Sequence, residues 1–298
     1  MELNIFKSSN GSDTITYYHF KPDGEINHVV QIIHGMSEHI GRYEGFADYL
    51  NQHGIAVLGH DHMAHGKSVA TQKGEFIDKK QAKFMVDDAH LLNKIIKKEY
   101  PNLPITVFCH SMGSFVGRIM AATYPNDMDK IIVCGTAGKN ILAPIGKYIA
   151  FFLEKVISAT HKSELINKLS FGAYNKHFKD AKTNFDWLSS DPAEVEKYIN
   201  DPDCGFLFSV TGSTALTDLL ITCNKESTFK NTDSNLPIFI ISGAEDPVSN
   251  FGKGAHEVFA NYQKAGCTKS TLTLYPNVRH EIILDRSKDQ VWHDILEF

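Results

Sequence analysis

A chain of 298 residues holds one large α/β unit or about two ordinary domains, and its 42% hydrophobic and 22% charged content supplies ample apolar material for a core, which argues against disorder. Thirty basic against 35 acidic residues give a formal charge of −5 and argue against a nucleic-acid binder held by a bulk basic face. The N-terminal Met-Glu-Leu-Asn lacks a secretory signal's basic and apolar segments, and the five cysteines form no C-x-x-C pair; the expectation is a soluble protein of a reducing, cytoplasmic compartment.

Residues 14–20 alternate as a half-buried strand and run into the turn sequence Lys-Pro-Asp-Gly-Glu. Residues 29–33 form a short apolar run ending at His34-Gly35, as in a strand buried on both faces. Phe46, Tyr49 and Leu50 place a helix over 42–53 with Gly54 as its stop, and 55–58 is the next buried strand. A helix over 82–100 sets Met85, Ala89, Leu92, Ile96 and Tyr100 along one face, with Pro101 just beyond. Strand 105–109, helix 113–124 and strand 131–134 follow. From 136 to 230 there are helix-like apolar stretches and loops but no convincing buried strand. Alternation then resumes over 237–242, 251–265, 271–275 and 287–298. Such alternation implies an α/β fold, a mostly parallel central sheet with helices on both faces. The core comprises residues 1–135 and 231–298, and 136–230 is an inserted helical subdomain. The most apolar window, 141–157, is broken by Lys147, Glu154 and Lys155 and is short for a membrane span.

The sharpest chemical signal is Cys109-His110-Ser111-Met112-Gly113, set between a strand and a helix. A serine at that corner is held in a strained conformation with its hydroxyl raised above the sheet, and its neighbours two positions away must be small. Gly113 meets that demand, whereas Cys109 stands where the usual G-x-S-x-G pattern has glycine. A plain helix N-cap serine is the competing reading; the five-residue apolar strand before it favours a nucleophile. The hydroxyl then needs a base and the base a carboxylate, in the chain order Ser, Asp or Glu, His. Asp246, just after strand 237–242, is the expected acid, with Glu245 its neighbouring competitor. His280, in the loop between strand 271–275 and the last helix, is the expected base. The backbone N–H groups of Met36 and Met112 are the expected oxyanion donors, Gly35 permitting close approach. Glu38 and Arg42, four apart near a helix start, either pair to hold the oxyanion loop or bind a substrate's polar head.

His34-Gly-Met-Ser-Glu38-His39-Ile-Gly-Arg42-Tyr43 resembles the H-G-x-x-E-H-x-x-R-Y segment of monoacylglycerol lipases, and Gly59-His-Asp61-His-Met-Ala-His65-Gly66-Lys-Ser68 is similar to their H-D-x-x-G-H-G-x-S loop. With 109–113 and 275–281, these segments resemble the monoacylglycerol lipase and lysophospholipase branch of the α/β-hydrolases, also classed as serine aminopeptidase-like, over nearly the whole chain. The resemblance implies the α/β-hydrolase fold and cleavage of the carboxylic ester of a single-chain lipid through an acyl-enzyme on Ser111, Asp246 and His280. It implies no metal or organic cofactor, and a cap over 136–230 above an acyl-chain tunnel. Cys109 and Ser114 depart from the family's glycines. The insertion is rich in apolar residues, among them Ile145, Ile149, Phe152, Leu153 and Val156, then Phe171, Tyr174, Phe178, Phe185, Trp187, Phe206 and Phe208. The stretch 141–157 is a candidate for transient docking on a membrane surface, giving a cytoplasmic protein with peripheral contact.

Other readings compete. His60-Asp61-His62-Met-Ala-His65 is similar to the H-x-H-x-D-H run of binuclear zinc hydrolases, but Ala64 stands where the aspartate belongs; in the lipase-like reading Asp61 and His65 organise the loop instead. The same fold also serves small-ester esterases, thioesterases and aminopeptidases, the last needing an acidic anchor for a substrate ammonium. A non-catalytic binding module is the remaining alternative, and the intact Ser, Asp and His argue against it.

Overall fold

A computed structural model describes residues 1–78, 80–140 and 158–298. The apolar stretch 141–157, with its expected membrane contact, lies outside the described residues. Eight strands form one sheet: β1 Glu2–Lys7, β2 Thr14–Phe20, β3 His28–Ile33, β4 Ile55–His60, β5 Ile105–His110, β6 Lys130–Cys134, β7 Ile238–Gly243 and β8 Ser270–Tyr275, in the order β1-β2-β4-β3-β5-β6-β7-β8. β1 and β2 pair antiparallel at one edge, and every pair from β4–β3 to β7–β8 is parallel.

The interior strands are mostly apolar because both of their faces are covered; in β3 the buried Gln31 is the exception, donating to Ala89 O at 2.7 Å and accepting from Asn93 at 2.9 Å. Val107, Cys109, Ile131, Val133, Ile238 and Ile240 face one core. There they meet α2 Gln81–Glu99, α3 Met112–Thr123 and α8 Lys253–Lys264. Phe108, Ile132, Cys134, Phe239 and Ile241 face the other core with α1 Glu44–Asn51 and α9 Lys288–Glu297. Helices thus lie on both faces, as the alternation implies. Two elements differ from expectation. β1 escapes the periodicity because it is an edge strand whose Leu3 and Ile5 face solvent. The helix expected from 251 starts at Lys253, since Asn250, Phe251 and Gly252 all take positive φ.

Between β6 and β7 the described residues form a 3₁₀ turn at Tyr174–His177 and four helices: α4 Glu164–Phe171, α5 Pro192–Asn200, α6 Val210–Cys223 and α7 Glu226–Asn231. They contain no strand, only the isolated bridge Lys162–Ser209. α6 and α7 sit on the core: Leu219, Cys223 and Phe229 join the cluster around α3. No helix among the described residues is long and apolar enough to cross a membrane. In an open parallel sheet, chemistry gathers beyond the carboxyl ends of the strands; here the ends of β3, β5, β7 and β8 converge.

Candidate active site

β5 ends at His110 and α3 begins at Met112, so Ser111 alone makes the corner, with φ 52° and ψ −121°. That conformation is strained by on the order of 1–3 kcal/mol for a residue with a Cβ, and the surrounding chain enforces it. A Cβ on Gly113 would come within 2.2 Å of Ile33 O and 2.5 Å of His34 O, so only glycine fits two residues past the serine. Cys109 is accommodated by a different device. Its Sγ donates to Ile132 O at 3.1 Å and lies against Gly117, where a Cβ would meet the sulfur at 2.6 Å. A glycine one turn into α3 therefore makes the space that glycine at the strand end would otherwise leave.

The loops after β7 and β8 bring Asp246 and His280 to this corner. His280 Nε2 lies 2.8 Å from Ser111 Oγ, and His280 Nδ1 lies 3.0 Å from Asp246 Oδ1. Asp246 is completely buried; its carboxylate accepts the Val248 N–H at 2.8 Å and the Ser242 hydroxyl at 3.3 Å. Glu245 is half-buried, with its backbone N–H tied to Val278 O, so the carboxylate against the imidazole is that of Asp246. The turn before β7's acid is tight, since a Cβ on Gly243 would strike Arg279 O and Val278 O at 2.1 Å. This close approach joins the acid loop to the histidine loop.

The loop after β3 closes the site from the other side. A Cβ on Gly35 would stand 3.1 Å from Ser111 Cβ, and the Gly35 N–H donates to Glu38 Oε1 at 2.6 Å. The N–H groups of Met36 and Met112 make no hydrogen bond to the surrounding loops among the described residues, and Met112 opens α3, where helix N–H groups point outward. Glu38 is buried and also accepts from the Tyr43 hydroxyl at 3.1 Å and from Arg42 at 3.1 Å, and it pairs with His110 Nδ1 at 3.0 Å. Arg42 in turn grips both oxygens of Glu281, the residue after His280, at 2.6 and 2.7 Å. Burial pushes the Glu38 carboxyl up, but the hydrogen bond and charge of His110, then Arg42 and the Gly35 amide, bring it down to about 2. Burial likewise disfavours a charged His110, yet Glu38 and Glu281 raise its pKa above the ordinary value. The result is an alternating buried row, His110, Glu38, Arg42, Glu281, that links the loop after β3, the end of β5 and the loop bearing His280. His110 and Glu281 were not expected as site residues. His110 carries a visible sign, an imidazole closing an otherwise apolar strand, whereas nothing local marks Glu281 as the partner of a residue 239 positions away.

Asp61 and the neighbouring histidines hold the same loop through its backbone. Asp61 accepts the N–H groups of Ile40 and Lys67 at 2.9 and 2.8 Å. His34 Nε2 accepts the His62 N–H at 3.0 Å, which leaves its Nδ1 proton for Gly35 O at 2.8 Å. His65 Nε2 accepts the Ser37 N–H at 3.2 Å. These contacts require neutral rings. Burial, reinforced by the neighbouring imidazoles, holds His34 and His60 well below the usual histidine range and His65 at about 3; burial alone brings His62 to about 4. Their ligand atoms do not converge; among the described residues the side chains that could hold a metal together are His39, Asp201 and Cys204. There His39 Nδ1 accepts the Gly41 N–H, so the Nε2 proton faces Asp201 Oδ2 at 2.9 Å in an ordinary hydrogen bond.

The four neutral rings make stability depend on pH. Below the unfolded-chain value of 6.5 the unfolded state takes up protons that the folded state refuses until about pH 4 for His62 and about 3 for His65. Their stabilising contribution is therefore complete above pH 6.5 and is lost as pH falls, by about 1.4 kcal/mol per pH unit for each ring. His110, with its raised value, contributes in the opposite sense. Urea unfolding at pH 7 and pH 5 is expected to show a loss of several kcal/mol; equal stability at the two values would refute the account.

The segment between β6 and β7 touches the site through aromatic rings. Trp187 lies 5.3 Å from the His280 ring, Tyr174 meets Trp187 edge-on at 5.0 Å, and Phe171 stacks parallel to it at 6.5 Å. Phe206 and Phe208 pack on His65 at 5.1 and 5.3 Å. Phe178 lies under Arg279 at 4.0 Å, and Phe185 packs on Tyr198 at 5.2 Å. A small cleft runs from Met36 between Ile166, Phe171, Phe208 and Leu216.

This sheet order, its helices on both faces and a serine at the turn from β5 into α3 define an α/β-hydrolase. Residues 24–287 match the family described as serine aminopeptidase, S33. The chain belongs to that family, on its monoacylglycerol lipase-like branch, and is a carboxylic ester hydrolase. It is 25% identical to a monoglyceride lipase homolog of Monkeypox virus, over 96% of this chain and 92% of that one. To the monoglyceride lipase of Mus musculus it is 24% identical over 93% and 82%. The crystal structure of a highly thermostable carboxyl esterase from Bacillus coagulans, in complex with glycerol, superposes with a TM-score of 0.93 at 30% identity, covering 100% of this chain and 98% of that one.

Proposed function

We propose that Ser111, Asp246 and His280 are a catalytic triad that hydrolyses the ester of a single-chain lipid, a monoacylglycerol or lysophospholipid. The observation that carries the reading is the unbroken line Asp246–His280–Ser111, with contacts of 3.0 and 2.8 Å. His280 Nε2 takes the Ser111 proton as Oγ attacks the ester carbonyl; Asp246 orients the ring and stabilises the imidazolium. The Met36 and Met112 N–H groups receive the oxyanion. The alcohol leaves with the proton from His280, and water repeats the sequence on the acyl-enzyme to release the fatty acid. Glu38 and Arg42 act by holding the oxyanion loop, a role favoured by their burial and mutual pairing.

Residues 136–230 act as a cap that receives the acyl chain. The rings of Phe171, Tyr174 and Trp187 beside His280, and the cleft from Met36 with Ile166, Leu169, Phe171, Phe208 and Leu216 in its lining, support this. An aminopeptidase is disfavoured because the buried acids nearest the site, Glu38 and Glu281, are already neutralised by His110 and Arg42. Contact of the cap with a lipid surface is favoured by Leu165 and Leu169, exposed one turn apart on α4 beside Lys168. Five unbridged cysteines favour a reducing, cytoplasmic setting.

Fatty-acid release from 1-monoacylglycerols of increasing chain length tests the substrate class. Each added CH₂ that leaves water is worth about 0.8 kcal/mol, so kcat/KM is expected to rise by about fourfold per carbon until the path is filled. Turnover of short esters with no gain from longer chains would retain the serine chemistry and discard the lipid.

A further inference from the structure

We propose that Arg279 is a positioning residue for the base. It locks the chain between the Tyr174–His177 turn and α5 so that the Trp187 indole lies against His280, where the ring stabilises the imidazolium formed during ester cleavage. The proposal rests on the triad reading above.

Arg279 immediately precedes His280 and is buried although it carries a charge. Its guanidinium turns away from the triad and into the segment between β6 and β7. Nη1 donates to Asp186 O at 2.8 Å and to Ser189 O at 3.2 Å, and Nη2 lies 3.2 Å from both carboxylate oxygens of Asp180. The Phe178 ring covers the guanidinium face at 4.0 Å. The Asp180 side chain is 76% exposed, and an ion pair with one partner in water adds little. The hold therefore comes from the two carbonyls, which a planar guanidinium meets with donors set in a fixed fork.

Those carbonyls stand on either side of Trp187. Beyond the base, the Glu281 N–H donates to Leu188 O at 2.7 Å, and the Asp285 carboxylate accepts both the N–H and the hydroxyl of Ser190. Residues before and after His280 thus fasten the chain at Asp186, Leu188, Ser189 and Ser190. The Trp187 N–H is held too, donating to Asn175 Oδ1 at 2.9 Å. The side chain that this fastening sets against the base is the indole. Its ring centre lies 5.3 Å from that of the buried His280, with the planes inclined at 38°. Phe171 and Tyr174 brace the indole at 6.5 and 5.0 Å.

The base is neutral while it waits and positive once it has taken the Ser111 proton. A tryptophan ring within about 6 Å attracts a cation, most strongly where water is excluded. The attraction is therefore larger for the imidazolium than for the resting ring, and an interaction that grows toward the transition state raises kcat. The other charged groups against His280 are already committed. Asp246 meets Nδ1 at 3.0 Å, and His110, whose ring lies 4.8 Å away, is paired with Glu38. Trp187 supplies the remaining contact, and Arg279 keeps it in place.

The test measures kcat and KM on a short soluble ester for Trp187→Phe, Trp187→Leu, Arg279→Lys, Arg279→Gln and the double variant Arg279→Gln/Trp187→Leu. Trp187→Leu keeps an apolar cover but removes the ring, and is expected to lower kcat by about tenfold with KM little changed. Trp187→Phe should lose less, because a smaller ring still attracts the cation. Arg279→Gln should lose about as much as Trp187→Leu, and Arg279→Lys less. The double variant should be no worse than Trp187→Leu, since an arginine that works through the indole has no effect once the indole is gone. The chain has two tryptophans, so in a Trp292→Phe background the emission is that of Trp187, and Arg279→Gln should shift it to the red. Unchanged kcat in Trp187→Leu would overturn the proposal. Losses that multiply in the double variant would overturn it as well, as would an Arg279→Gln loss that follows melting temperature while the Trp187 emission stays put. Trp187→Leu removes none of the bonds made by Arg279, so its result decides even if Arg279→Gln folds poorly. Labelling of Ser111 by a fluorophosphonate separates the two levels. Wild type that fails to label removes the triad reading and this proposal with it; normal labelling with unchanged kcat in Trp187→Leu removes this proposal alone.

Discussion

Ser111→Ala is expected to abolish ester hydrolysis, lowering kcat by at least about 10⁴-fold, while the circular dichroism spectrum and melting temperature stay close to wild type. The hydroxyl's hydrogen bond is the 2.8 Å contact with His280, so its removal breaks nothing that holds the fold. The strained backbone at φ 52° costs alanine about what it costs serine, because the strain arises from the Cβ and not the oxygen. Residual catalysis would come from the oxyanion donors alone. Turnover near the wild-type rate would mean that another group attacks the carbonyl.

Asp246→Asn carries the second large effect, about 10³–10⁴-fold in kcat. The carboxylate is sealed from water and held from behind by the Val248 N–H and the Ser242 hydroxyl. An amide of the same shape packs equally well but cannot stabilise the imidazolium, and when its NH₂ faces Nδ1 it forces the ring into the wrong tautomer. Glu245→Gln is expected to change kcat/KM by less than about twofold, because the carboxylate that meets the imidazole is that of Asp246. A steady-state comparison of the two variants decides between the acids: damage from Glu245→Gln with Asp246→Asn unharmed would reverse the assignment.

The interior of the fold was legible because strands covered on both faces are mostly apolar, and β3 to β7 are written that way apart from polar residues such as Gln31 and Thr106. The edge was not: β1 has one partner and a solvent-facing side, so Leu3 and Ile5 carry no pattern that sets it apart from a loop. The corner at Ser111 could be read from a strand meeting a helix with Gly113 behind it, and Asp246 and His280 from their places after strands. The support around them was hidden. Glu38 meets His110 across 72 positions, and Arg42 meets Glu281 across 239. No periodicity reports a contact that only the closed sheet creates. Cys109 illustrates the same limit, since its tolerance depends on Gly117, a residue outside the five-residue pattern.

The strand order also sets when the site can exist. Ser111 and His280, its proposed base, lie 169 residues apart, and the loop bearing His280 follows β8, the last of the eight described strands to be made. A chain emerging from the ribosome displays its serine long before it owns an imidazole to activate it. In the proposed triad the serine and its base therefore meet only once β8 has docked beside β7.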